Sequence, residues 1–151
     1  MDVAAKLREL GVTLPPVQPP VASYVPVVVS GNLAFVSGQI ARKGEHVIFK
    51  GKVGETVSVE QGAQATRECA LLGLAAMDAE GLLDRIVRVV KVTGYVASTP
   101  TFADHSRVVN GASDLLVQVF GEAGKHARAA IGVAALPLGA PVEVEFVFEI
   151  R

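Results

Sequence analysis

The sequence predicts an α+β domain in which a mixed β-sheet carries two long helices packed on one face. Three observations predict it. Two segments repeat apolar residues with helical spacing, β-rich segments precede, separate and follow them, and the last segment alternates strictly between apolar and polar residues. The order is β-β-(β)-α-β-α-β-β.

Asp2 to Leu10 has helical spacing through Val3, Leu7 and Leu10. Pro15, Pro16, Pro19 and Pro20 then force an extended arm, because proline fixes its own backbone and restricts the residue before it. Tyr24 to Val29 and Leu33 to Ser37 form a hairpin about Ser30-Gly31-Asn32, and Pro26 confines the first of them to an edge. Val47 to Phe49 makes a short third strand. Ser58-Val59-Glu60-Gln61 has the form of a capping box, and Ala65, Cys69, Leu72, Ala76 and Met77 continue a helix to about Gly81. Ile86 to Ala97 is a Val-rich strand with Tyr95 as a core residue, and Phe102 to Phe120 is the second long helix. Arg128 to Ala135 and Val142 to Ile150 are strands joined through Leu136 to Pro141. In the last, Val142, Val144, Phe146, Phe148 and Ile150 enter the core while Glu143, Glu145 and Glu149 take the other face.

Composition narrows the function. With 151 residues, half hydrophobic, and a net charge of -1, the chain fits one core, divided into an N-terminal helix and Pro-rich arm over 1–22 and a single domain over 23–151. Lys and Arg are scattered with no basic run, which argues against nucleic acid. A single cysteine, Cys69, excludes an internal disulfide. The N-terminus lacks the apolar core of a signal peptide and no apolar run reaches membrane-spanning length, so a cytoplasmic location is expected. His46, His105 and His126 lie apart without ligand spacing, so neither a metal nor another cofactor is expected. Trp is absent, aromatics are 5 %, and small side chains dominate, a composition suited to a core completed at a subunit interface.

Arg128 stands out. It is the only charged residue between Ala127 and Leu136, a stretch that reads as a buried strand. A guanidinium keeps its proton, so burial there calls for an anion, either a protein carboxylate or a bound acid. A simple hairpin about the Leu136 to Pro141 turn places Glu143 opposite Val133, roughly 17 Å along the strand from Arg128. If the two groups meet, they meet across an interface between subunits.

Ser37-Gly38-Gln39-Ile40 after a strand, Asn110 in the second helix, Ala127-Arg128 at the head of a strand, Leu136-Pro137, and Glu143-Val144-Glu145 near the terminus follow the order and spacing of one family. Over Ser23 to Arg151 the chain resembles the RidA/YjgF family of reactive-intermediate deaminases, also labelled endoribonuclease L-PSP. The ordered set is specific, and no single motif is. The resemblance implies a homotrimer of a chorismate-mutase-like fold, with clefts between subunits that hydrolyse enamines or imines to 2-keto acids and ammonia. By matched position, Arg128 grips the substrate carboxylate and Glu143 positions the attacking water. Tyr24, Ser37, Gly38 and Asn110 line the cleft, with backbone near Ala130 beside the bound acid. Two positions depart from the family: Ala130 stands where Cys is frequent, and Gly132 where an acid or polar residue is frequent, which implies a wider or less polar pocket.

Each residue also has a plainer role. Arg128 suits a structural ion pair, Glu143 and Glu145 the solvated face of a strand, Tyr24 a packing contact, Asn110 an exposed helix position, and Ser37-Gly38 a strand-end turn. Cys69 belongs to a helical apolar stripe, whereas His126, two residues before Arg128, shares its side of a regular strand. Three function classes follow: a hydrolytic deaminase of 2-imino acids, a non-catalytic trimer binding a small carboxylate as a sensor, and a ribonuclease. The last rests on the old family label alone, without a basic groove or a His pair.

Overall fold

The computed structural model describes residues 1–20 and 22–151; residue 21, inside the arm, lies outside them. Helix α1 (Val3–Glu9) leads through the extended arm to a hairpin of β1 (Val27–Ser30) and β2 (Leu33–Ile40). A small separate hairpin follows, β3 (Arg42–Lys43) with β4 (His46–Val47), then α2 (Val59–Ala79), β5 (Ile86–Ala97), α3 (His105–Phe120), β6 (Ala127–Val133) and β7 (Val142–Ile150). The main sheet has the order β1-β2-β7-β5-β6. All its pairs are antiparallel except β5 with β6, which α3 joins as a crossover. No helix among the described residues is long and apolar enough to cross a membrane.

Local chemistry accounts for most of these boundaries. β1 starts immediately after Pro26 and lies at the sheet edge, where a missing N–H is tolerated. Gly31, at φ +61°, takes the first central position of the two-residue turn between Ser30 and Leu33, where a positive φ suits the twist of a hairpin. Ser58 and Gln61 form the reciprocal capping box at the start of α2. Asp2 caps α1, and Asp84 Oδ1 accepts from the Val3 N–H at 2.8 Å, so Val3 and Leu7 enter the common core.

Several expectations are corrected. The expected third strand at Val47 to Phe49 is instead His46–Val47, and Phe49 turns away with φ +54°. The second long helix begins at His105, not Phe102, because Phe102 lies in a turn closed by its N–H to Thr99 O. β6 and β7 are not hairpin partners: each pairs with β5, from opposite sides. The α3 crossover has already brought β6 parallel to β5 on that strand's free edge, so the Leu136 to Pro141 segment must carry the chain across β5. β6 is therefore an edge strand and not a buried one, with Ile131 44 % exposed. Tyr95, expected in the core, shares a row with Glu143 and Ile131, on the side away from the helices.

Thr66 sets the joint between the two long helices. Completely buried on α2, its Oγ1 donates to Val108 O at 2.7 Å and accepts from the Ala112 N–H at 3.1 Å. Those are the two groups of α3 that a regular helix joins to each other, so the hydroxyl is inserted into the ladder across the turn that carries Asn110. Gly111 permits the close crossing, since a Cβ there would collide with Ala63 O. Thr66→Val is expected to destabilise the protein by about 2 kcal/mol, because two buried backbone groups lose their partner. An unchanged urea midpoint would show that α3 closes its ladder unaided.

Candidate functional site

The sheet register decides which expected site residues can meet. Val142, Val144, Phe146, Phe148 and Ile150 of β7 are buried beneath the helices, so Glu143 and Glu145 are directed to the opposite side. Arg128 of β6 pairs with Val92, and Val92 with Phe146, which places Arg128 on the helix side. Glu143 shares its row with Tyr95 and Ile131, three residues along from Arg128, or about 10 Å. Within one chain the expected site residues thus fall into two separate groups.

The first group lies between β6 and α3. Arg128 Nη1 donates to Asn110 Oδ1 at 2.8 Å and to Ser113 Oγ at 3.1 Å. Ser113 Oγ also lies 2.9 Å from His126 Nε2, while His126 Nδ1 is 2.6 Å from Gly124 O. Burial pushes the His126 imidazole below its usual range, and the nearby Arg128 charge pushes it further, against the opposing effect of its bond to Gly124. The neutral ring donates from Nδ1 to Gly124 O and accepts at Nε2 from the Ser113 hydroxyl, whose oxygen is left to accept from Arg128. Every protein acceptor on the guanidinium is neutral. Among the described residues Arg128 forms no ion pair, and its Nη2 and Nε groups have no protein partner. Ala130 follows on the same side of β6, packed against the core.

The second group lies along β2. The ladder of β1 ends at Val36 and the Ser37 N–H still donates to Pro26 O at 2.9 Å, so Gly38 to Ile40 is an open edge, and the ladder to β7 shifts register between Val36 and Gln39. A cleft of about 670 Å³ opens there, lined by Tyr24, Ser37, Gly38 and Glu143 together with the proline arm and α2. Ser37 is anchored by its Oγ donating to Val25 O at 2.7 Å. Glu143 is half-buried over Gly38, where a Cβ would lie 2.6 Å from its Oε1. Desolvation raises the Glu143 carboxyl above the usual carboxylate range, and repulsion from Glu145 raises it further. Glu145 is itself held by the Tyr95 hydroxyl, which donates to its Oε1 at 3.1 Å. Gly38→Ala is expected to push the carboxylate aside at little cost in stability, since only a side-chain end must move. The structure of that variant, or loss of the raised carboxyl pKa by NMR titration, checks it.

The model of the family described as "YjgF/chorismate_mutase-like, putative endoribonuclease" matches residues 4–150. The chain belongs to the YjgF family. Protein TCP17 of Trypanosoma cruzi is 46 % identical over 151 residues, covering 99 % of this chain and 94 % of the relative. Among solved structures, Atu1372 of Agrobacterium tumefaciens, a protein of unknown function, superposes with a TM-score of 0.90 at 44 % identity, covering 99 % of this chain and 92 % of that one. RidA from the Antarctic bacterium Psychrobacter sp. PAMC 21119 gives a TM-score of 0.61 at 26 % identity, covering 91 % and 94 %. The mixed sheet with its helices is the YjgF/chorismate-mutase-like fold.

Within that fold this YjgF-family chain has features that its linear pattern does not reveal. Ser113 was hidden as an ordinary helix residue, although its place three after Asn110 puts both on one helix face. Gly132, already a departure from the family pattern, leaves room for an imidazole: a Cβ there would lie 2.5 Å from His105 Nε2, which is 3.3 Å from Ser98 Oγ. Glu68 and the proline arm join the Glu143 cleft, and nothing in their local sequence marks them as its lining. Cys69 is fully buried and burial pushes its thiol far up, which suits a core residue.

Proposed function

We propose that the protein hydrolyses 2-imino acids, or the enamines in equilibrium with them, to 2-keto acids and ammonia in clefts between the subunits of a homotrimer. The observation that carries this reading is the Arg128 guanidinium, oriented by Asn110 and Ser113 and without a carboxylate partner among the described residues. Its free edge suits the two oxygens of a substrate carboxylate, as a planar fork allows and a lysine does not. Glu143 cannot reach that acid within one subunit, so a complete cleft takes Arg128 from one copy and Glu143 from the next. The exposed apolar residues Val28, Phe35 and Ile131, on the side of the sheet away from the helices, supply a surface for that association. A head-to-tail ring of three gives every interface one whole cleft.

With the acid held, water adds to the protonated imine carbon while Glu143 accepts one of its protons. The same carboxyl returns the proton to nitrogen, the C–N bond breaks and ammonia leaves, and the ionised carboxylate takes the hydroxyl proton as the keto group forms. A carboxyl that burial raises above the usual carboxylate range suits both directions of transfer better than an ordinary one. Because such imines hydrolyse readily in water, positioning and proton transfer suffice and no strong nucleophile is needed.

A panel of imines generated in place by an amino-acid oxidase, with ammonia release followed, tests the reading. Faster hydrolysis than in buffer is expected for at least one. If none is accelerated while 2-keto acids still bind, the cleft is a carboxylate-binding site without turnover. Sedimentation is expected to give a trimer; a stable monomer at micromolar concentration removes the shared cleft.

A further inference from the structure

We infer that the cleft beside Glu143 is a subsite for a bulky apolar side chain on the 2-imino acid, with the proline arm as its outer wall. The inference rests on the deaminase reading and names its substrate class. A three-carbon acid fills only a small part of about 670 Å³, a volume within the roughly 300–1,000 Å³ that encloses drug-sized ligands. Three of the chain's exposed large apolar side chains converge there: Val17 of the arm, Tyr24, and Leu138 of the turn before β7. Leu72 and Ala76 of α2, both buried, close the far side.

Leu138 is the most telling of these residues. Its backbone is left-handed, with φ +60° and ψ 18°, a conformation that costs any residue with a Cβ. Its side chain is nevertheless 58 % exposed, so the fold gains little from burying it. A residue kept in a strained conformation with its apolar surface turned to a cleft has a binding role as its physical rationale. Pro15, Pro16, Pro19 and Pro20 line the same cleft and keep the arm extended, so this wall loses little conformational freedom on meeting a ligand. Arg42, Lys43, Glu68 and Glu143 also line the cleft and leave it without net charge, so discrimination falls to shape and apolar contact.

The test compares the imines of leucine and alanine, in the wild type and in two variants. Leu138→Gly removes the side chain while relieving the backbone, and Val17→Asp places a charge on the arm without touching the core. The wild type is expected to favour the leucine-derived imine in kcat/KM by about tenfold or more, and each variant to reduce that ratio by about tenfold, the discrimination expected of apolar contacts of this size. Equal use of both imines by the wild type, or a ratio unchanged in both variants, overturns the inference while leaving the deaminase reading intact. If no imine is turned over, the deaminase reading fails instead. Calorimetric affinities for 4-methyl-2-oxopentanoate and pyruvate then decide the subsite by the same ratio in the same proteins.

Discussion

Arg128→Ala is expected to lower kcat/KM for 2-imino acids by about 10²–10⁴, the loss that follows from removing two charge-assisted hydrogen bonds at roughly 1.5–3 kcal/mol each. Arg128→Lys is expected to recover little of it. An ammonium presents one charge where the fork presents parallel N–H groups, and it cannot serve Asn110, Ser113 and a carboxylate in one plane. Folding is expected to be nearly untouched, because Asn110 is exposed and can turn to water while the half-buried Ser113 keeps its bond to His126. Steady-state kinetics, calorimetry with a 2-keto acid, and thermal melting together check this. Large losses in both rate and affinity at constant melting temperature support a substrate-binding role, whereas a large loss of stability identifies Arg128 as a structural residue.

Glu143→Gln is expected to reduce turnover by about 10²–10⁴, the usual worth of a positioned acid–base, while a 2-keto acid binds nearly as before. The pH dependence follows from the raised carboxyl. Since the unprotonated form takes the proton from water, wild-type activity is expected to fall on acidification at a higher pH than for an ordinary carboxylate. Stability responds in the opposite sense. A carboxyl whose folded pKa lies above its unfolded value stabilises the fold fully below the unfolded value, and that contribution is lost as pH rises through the folded one. Glu143→Gln is therefore expected to melt higher than the wild type at neutral pH, with the difference closing below the ordinary carboxylate range. A variant that melts lower at neutral pH and keeps its activity contradicts both assignments at once.

Much of the fold was legible because local rules and tertiary demands agree. The capping box at Ser58, the turn at Gly31 and the alternation from Val142 to Ile150 each depend on contacts a few residues apart, or on one buried face, and their periods survive in the linear pattern. The third strand and the start of α3 were misplaced because Phe49 and Phe102 have strand or helix character but occupy turns. At the site, Arg128 was conspicuous as one charge among apolar neighbours. Its partners were not, because Asn110, Ser113 and His126 become neighbours only when α3 folds back over β6.

By itself, then, the order of residues determined the elements and which face of each is apolar, since burial follows a period of two or 3.6 that composition either satisfies or does not. Only the tertiary structure decided the pairing. Sequence proximity favoured β6 beside β7, yet the α3 crossover delivers β6 to the free edge of β5 and sends β7 to the other side. That choice sets Glu143 level with Ile131, about 10 Å along the sheet from Arg128, and leaves the apolar stretch around Ile131 open. Strand pairing is a long-range decision among edges of similar hydrogen-bonding capacity, and no local pattern encodes which edge remains free.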